Sequence, residues 1–103
     1  MRRLESTTIQ GRSGETYSMN TYPADMRFND FIAGVYILFA EEQALYVGHS
    51  DNVDMVLQTS KVADTLKDQG LSKIGLVRNG SPTRREAILS DLSKALSPTL
   101  ASL

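Results

Sequence analysis

The period of apolar and polar positions changes several times along the chain, and each change marks an element. Residues 6–10 and 15–20 are short β-tolerant pieces rich in Thr, Ile and Tyr, and Gly11-Arg12-Ser13-Gly14 between them supplies the backbone freedom of a hairpin loop. Pro23 breaks this pattern, and residues 24–31 read as a connecting loop. Gly34-Val35-Tyr36-Ile37-Leu38-Phe39 is almost continuously apolar, β-branched and aromatic, and short enough to be a buried strand. Glu41-Glu42-Gln43 turns the chain, and Ala44-Leu45-Tyr46-Val47 reads as the antiparallel partner, ended by Gly48.

Helical spacing follows. Ser50 is placed to cap a helix whose first turn carries Asp51, with Val53, Val56, Leu57, Ala63 and Leu66 near one face and Gly70 as C-terminal cap. Lys73-Ile74-Gly75-Leu76-Val77-Arg78 alternates as a third strand of the core, closed by Asn79-Gly80. Ser81-Pro82 opens a last helix with Ile88, Leu89, Leu92, Ala95 and Leu96 on its apolar stripe, and Pro98 ends it. The expected fold is α+β: a small antiparallel sheet of three central strands plus an N-terminal hairpin, flanked by helices.

With 103 residues, 41% of them hydrophobic, the chain suits one domain that buries roughly two thirds of its unfolded surface. Residues 1–31 form the hairpin and connecting loop, and residues 32–100 the core. The absence of cysteine removes disulfide and cysteine-zinc frameworks. No run approaches the ~20 apolar residues of a membrane span, so the expectation is a soluble cytoplasmic protein with no membrane partner.

The net charge of −1 hides an asymmetry. Residues 28–60 contain Asp30, Glu41, Glu42, Asp51 and Asp54 and no Lys or Arg, whereas residues 61–103 carry a small cationic excess. Phosphate contacts need cations at the contact face, so Arg78, Arg84 and Arg85 are the candidate nucleic-acid-binding cluster. Against that role, the stretch lacks the interleaved aromatics of single-strand binders, and adjacent helical positions diverge by ~100°. A solvated first helical turn is the alternative.

Gly34-Val35-Tyr36, then nine residues, then Tyr46-Val47-Gly48, with Ser50 and Asn52 following, resembles the GIY-YIG nuclease superfamily. The resemblance covers residues 34 to about 100. Gly11 to Gly14, Phe28-Asn29, Asp91-Leu92 and Pro98 are further similar to a group of small bacterial GIY-YIG-like proteins. It implies a small antiparallel sheet flanked by helices, and a cleft in which the two tyrosines position or activate water.

The same resemblance locates the positions that carry the nuclease chemistry. An arginine that stabilises the charged transition state lies ten residues after the second tripeptide's tyrosine, where this chain has Val56. A glutamate that holds the divalent metal lies nine residues before the proline after the last helix, where this chain has Leu89. A frequent asparagine three residues after that proline corresponds to Ala101. Neither Val nor Leu can donate to a phosphate or coordinate a hard cation. Loss of one preorganised donor costs on the order of 100 to 1,000-fold in rate, and loss of the metal removes the Lewis acid and activated water. Asp51 and Asp54 would add repulsion toward a phosphate backbone.

Tyr36 and Tyr46 remain as vestigial cleft candidates, and their rings equally suit a core with hydroxyls at its edge. His49 is a third candidate, since an imidazole suits acid-base work, with a strand-end hydrogen bond as the alternative. Glu86, about 4.5 Å along the helix from Leu89, is the rescue candidate for a metal ligand; Asp91 would face away. No catalytic residue is assigned, and no metal or cofactor is expected. The expectation is a catalytically degenerate, non-catalytic binding or interaction module whose partner the sequence does not identify, a weakly bound nucleic acid or protein being the candidates. The alternative is a Mg- or Mn-dependent phosphodiesterase rearranged around Tyr36, Tyr46, His49 and Glu86.

Overall fold

Alternation along the strands decides which residues meet across the sheet. The computed structural model describes residues 5–24, 32–59 and 69–99. Its elements are β1 (Glu5–Gln10), β2 (Thr16–Pro23), β3 (Gly34–Ala40), β4 (Gln43–Ser50), α1 (Val53–Thr59), β5 (Lys73–Arg78) and α2 (Pro82–Leu96). The strands form one antiparallel sheet in the order β1-β2-β5-β3-β4. The α+β architecture read from the sequence is therefore present, with the N-terminal hairpin joined to the core through β2 and β5 rather than set apart.

β3 lies inside the sheet, between β4 and β5, which is why it is apolar throughout: both faces are covered. Tyr36 and Leu38 point to one face, where they join Tyr22, Ile32, Leu45, Ile74, Leu76, and Val53 and Leu57 of α1. Val35, Ile37 and Phe39 point to the other, where they join Tyr17, Met19, Val47, Val77, and Ile88 and Leu92 of α2. A bulge at Leu38/Phe39, opposite Tyr46 and Ala44, leaves Leu45 as the extra residue, so Leu45 and Tyr46 both pack on the α1 face.

Several boundaries differ from the sequence reading, each for a local reason. β2 continues to Pro23, which sits at the strand end opposite Lys73, a place where the missing N–H disturbs little. β4 does not stop at Gly48 but runs to Ser50, because Gly34 and Val35 extend the ladder to Ser50 and His49. The cap of α1 is Asn52, whose side-chain oxygen accepts from the Met55 N–H at 3.1 Å; Ser50 sits two residues earlier and accepts from the Asn52 N–H at 3.0 Å. The part of the expected helix carrying Ala63 and Leu66, the loop over 25–31 and Ala101 lie outside the described residues. Gly70 has φ 85, in the left-handed region, and the helix end it was expected to cap lies outside the described residues.

α2 follows its signals closely. The Ser81 side chain accepts from the Arg84 N–H, Pro82 occupies the first turn, and Ser97 ends the helix in the left-handed region. Its inward face differs in two residues from the expected stripe: Ala95 is exposed, and Arg85 is buried beside Ile88 and Leu92. Beyond α2 the Thr99 N–H donates to the Ala44 carbonyl at 3.1 Å, bringing the chain back to the β4 edge. No helix among the described residues is long and apolar enough to cross a membrane.

Candidate functional site

The two tripeptides occupy neighbouring strands in a register that brings their tyrosines together. Tyr36 lies directly across from Gly48, and Leu38 across from Tyr46. A side chain at Gly48 would collide with the Tyr36 ring and hydroxyl, so the glycine is what lets Tyr36 lie flat over β4. The rings are 6.2 Å apart at an interplanar angle of 42°. Burial, then the neighbouring Tyr46 and the hydrogen bond between the two hydroxyls, push the Tyr36 phenol up to about 12. This phenol therefore keeps its proton at neutral pH.

Val56 packs against the same apolar cluster, half-buried on α1. Val56, the position expected from the resemblance to carry an arginine, thus adds hydrocarbon to the cluster that includes Tyr36. Asp54 is half-buried on the same short helix, and Met55 is its exposed apolar residue, at 54% exposure.

Leu89 does not complete this group. It packs on α2 against the cluster that contains Val35, Ile37 and Phe39, on the opposite face of the sheet from Tyr36, Tyr46 and Val56. Glu86 projects into solvent from α2. The rearranged constellation of Tyr36, Tyr46, His49 and Glu86 is therefore not assembled: the tyrosines are on one side of β3 and β4, and the other two residues belong to the α2 side. Among the described residues no group of three or more His, Asp or Glu side chains converges as a metal site.

His49 sits at the end of β4 opposite Val35, on the α2 face. There its Nδ1 accepts from the Nε–H of Arg85 at 3.4 Å, and the Arg85 Nη1 donates to the Asn79 carbonyl at 3.1 Å. The contact joins two residues that sequence reasoning assigned to different roles. It also corrects the reading of Arg85 as part of a solvated turn, since only 4% of the residue is exposed. The spacing held the clue: Arg85 lies three residues before Ile88 and seven before Leu92, on the buried stripe.

The three candidate phosphate contacts do not form one surface. Arg78 ends β5 opposite Gly34 and shares that residue's face, the tyrosine side. Arg84 forms an ion pair with Glu15 at the base of the hairpin loop. Arg85 is the buried partner of His49. A single cationic cluster is thus replaced by three separate environments.

Asp91 has a role that sequence reasoning left unassigned. Its carboxylate accepts from the Ser13 N–H at 2.8 Å, the Ser13 hydroxyl at 2.7 Å and the Tyr17 hydroxyl at 2.6 Å. Its backbone carbonyl accepts from the Arg12 N–H at 3.2 Å, and a side chain at Gly11 would collide with the carboxylate. The Gly11 to Gly14 loop is therefore shaped around a carboxylate from α2. These donors, Tyr17 foremost, hold the Asp91 carboxyl below its ordinary value, while burial and then Asp91 itself push Tyr17 up to about 12. The signal was Gly11, where a side chain would meet the carboxylate; Gly14 answers a different need, a left-handed backbone with φ 93.

Set against family models, curated proteins and solved structures, the chain matches none of them.

Proposed function

We propose that this chain is a non-catalytic binding or interaction module on a GIY-YIG-like scaffold, whose former cleft has become packing. The observation that carries the reading is that Tyr36, Tyr46 and Val56 all belong to or pack against one apolar cluster, with Tyr36 only 4% exposed and the two rings 6.2 Å apart. A hydrolytic cleft needs the opposite: polar groups left free for water, phosphate and a metal. The antiparallel arrangement of β4, β3 and β5, with the two tripeptides paired and α1 following the second, supports the scaffold assignment. The location of Leu89 across the sheet supports the loss of chemistry, because no single side-chain change there returns a carboxylate to the tyrosines.

The test is incubation of the purified protein with supercoiled plasmid and with oligonucleotides, in Mg²⁺, in Mn²⁺ and in chelator. No metal-dependent cutting is expected. Cutting that requires metal and disappears in Glu86→Ala or Tyr36→Phe would return the protein to the phosphodiesterases.

A further inference from the structure

Of the seven glycines, Gly80 is the one whose shape the fold does not use. Gly11, Gly34, Gly48 and Gly75 each stand where a side chain would collide with a neighbour, and Gly14 and Gly70 have left-handed backbones. Gly80 has neither feature: its φ is not positive, and among the described residues beyond its chain neighbours nothing lies within 4 Å of where a Cβ would stand. Glycine has a second distinction besides backbone freedom. Its amide nitrogen is the one least shielded by its own side chain, and here it directly follows the side-chain amide of Asn79.

Asn79 is held in a turn that brings those two groups together. Its Oδ1 accepts from the Ser81 N–H at 2.9 Å, which folds the side chain back over the intervening Gly80 nitrogen and polarises the amide carbon, Cγ. Gly80 is exposed, so water reaches the turn. The main chain of Asn79 is anchored on both sides: its N–H donates to the Ala33 carbonyl at 3.1 Å, and its carbonyl accepts from Arg85 Nη1 at 3.1 Å.

We propose that Asn79-Gly80 is a self-modifying site, converted by intramolecular deamidation into a carboxylate at the junction of β5 and α2. The Gly80 nitrogen bonds to Asn79 Cγ, the Cγ–Nδ2 bond breaks, and Nδ2 leaves as ammonia with the proton that the Gly80 nitrogen gives up. Water then opens the cyclic imide at one of two bonds. Opening between Cγ and nitrogen leaves aspartate, whose carboxylate is the group that accepts from Ser81 at the positive end of α2. Opening between the main-chain carbon and nitrogen leaves isoaspartate, and the freed carboxylate is then the group that accepts from Arg85. Either product turns a neutral acceptor into an anionic one where a helix end or a cation already donates to it, so the fold is arranged to receive the charge. The site stands independently of the GIY-YIG reading.

Ageing of the purified full chain at mildly alkaline pH, in native buffer and in parallel in urea, tests this, read by intact mass and by peptide mapping that separates aspartate from isoaspartate. Residue 79 should convert with release of ammonia, at least as fast in the folded protein as in urea. Gly80→Ala should melt no lower than the parent, because the position has room and an ordinary backbone, and should convert several-fold more slowly. His49 is the single histidine of the chain and the second partner of Arg85, so its imidazole NMR signals should shift as product accumulates. Conversion slower in the folded state than in urea, or Gly80→Ala converting at the parent's rate, would overturn the proposal. A Gly80→Ala protein that melts lower or fails to fold would do the same, since the glycine would then have a structural use. Imidazole signals unmoved in fully converted protein would also overturn it.

Discussion

The two faces of the sheet use their polar groups in opposite ways. On the α1 face, two phenol rings stand 6.2 Å apart, Tyr36 within an apolar cluster and Tyr46 and Val56 packed against it. On the α2 face, polar side chains reach across long stretches of sequence: Asp91 holds the hairpin loop, and Arg85 reaches His49. The first face has turned reactive-looking groups inward upon themselves, while the second carries the charges that still face the rest of the molecule. A strand residue's chemistry is thus decided by its parity. His49 follows Gly48 in sequence, yet it stands on the other side of the sheet from Tyr36 and Tyr46.

The largest effects should come from emptying either core. Leu38→Ala and Leu92→Ala, both at fully buried positions, should each cost about 2–5 kcal/mol in denaturant unfolding. Leu38→Ala should also change the Tyr36 environment, and Leu92→Ala the His49 imidazole. A reversed pattern of spectroscopic response would break the division between faces.

The sharper comparison is a double-mutant cycle of Val56→Arg and Leu89→Glu. Both side chains are half-buried, so each single change destabilises. With the sheet between them, the two costs should add within about 0.5 kcal/mol. A favourable coupling well beyond that, as an arginine and a glutamate sharing one cleft would produce, would place the two positions together.

Smaller effects attend the hairpin clamp. The folded Asp91 carboxyl is a stronger acid than the ordinary 3.8, so its contribution is present above that value and lost as pH falls through the lower folded one. Tyr17 runs the other way: its contribution is present below the ordinary 10.0 and lost as pH rises toward about 12. Asp91→Asn should therefore flatten the acid limb of the stability profile. It should also increase hydrogen exchange at the Ser13 amide, leaving the α1 face undisturbed.

How much of this was legible beforehand depended on whether the signal was local. The β3–β4 hairpin, the β5 alternation and the Ser81-Pro82 start of α2 announce themselves within a few residues, and all three are present. The faces were not legible for the site. The bulge that puts both Leu45 and Tyr46 on the α1 side breaks simple alternation, and the extension of β4 to Ser50 is set by pairing with Gly34. The Asp91 clamp spans 78 positions from Ser13, a distance at which spacing carries no geometric information. Arg85 is the instructive case: its charge suggested solvent and the expected stripe omits it, yet its spacing from Ile88 and Leu92 puts it among the buried residues of α2.

The central claim, that the tyrosine face is closed packing rather than an open cleft, is tested most directly by limited nitration of the folded protein followed by mass spectrometry. Tyr36, 4% exposed, should remain unmodified until the protein unfolds, whereas half-buried Tyr46 should react first of the two. Nitration of Tyr36 in the folded state at the rate of a solvated phenol would contradict the account.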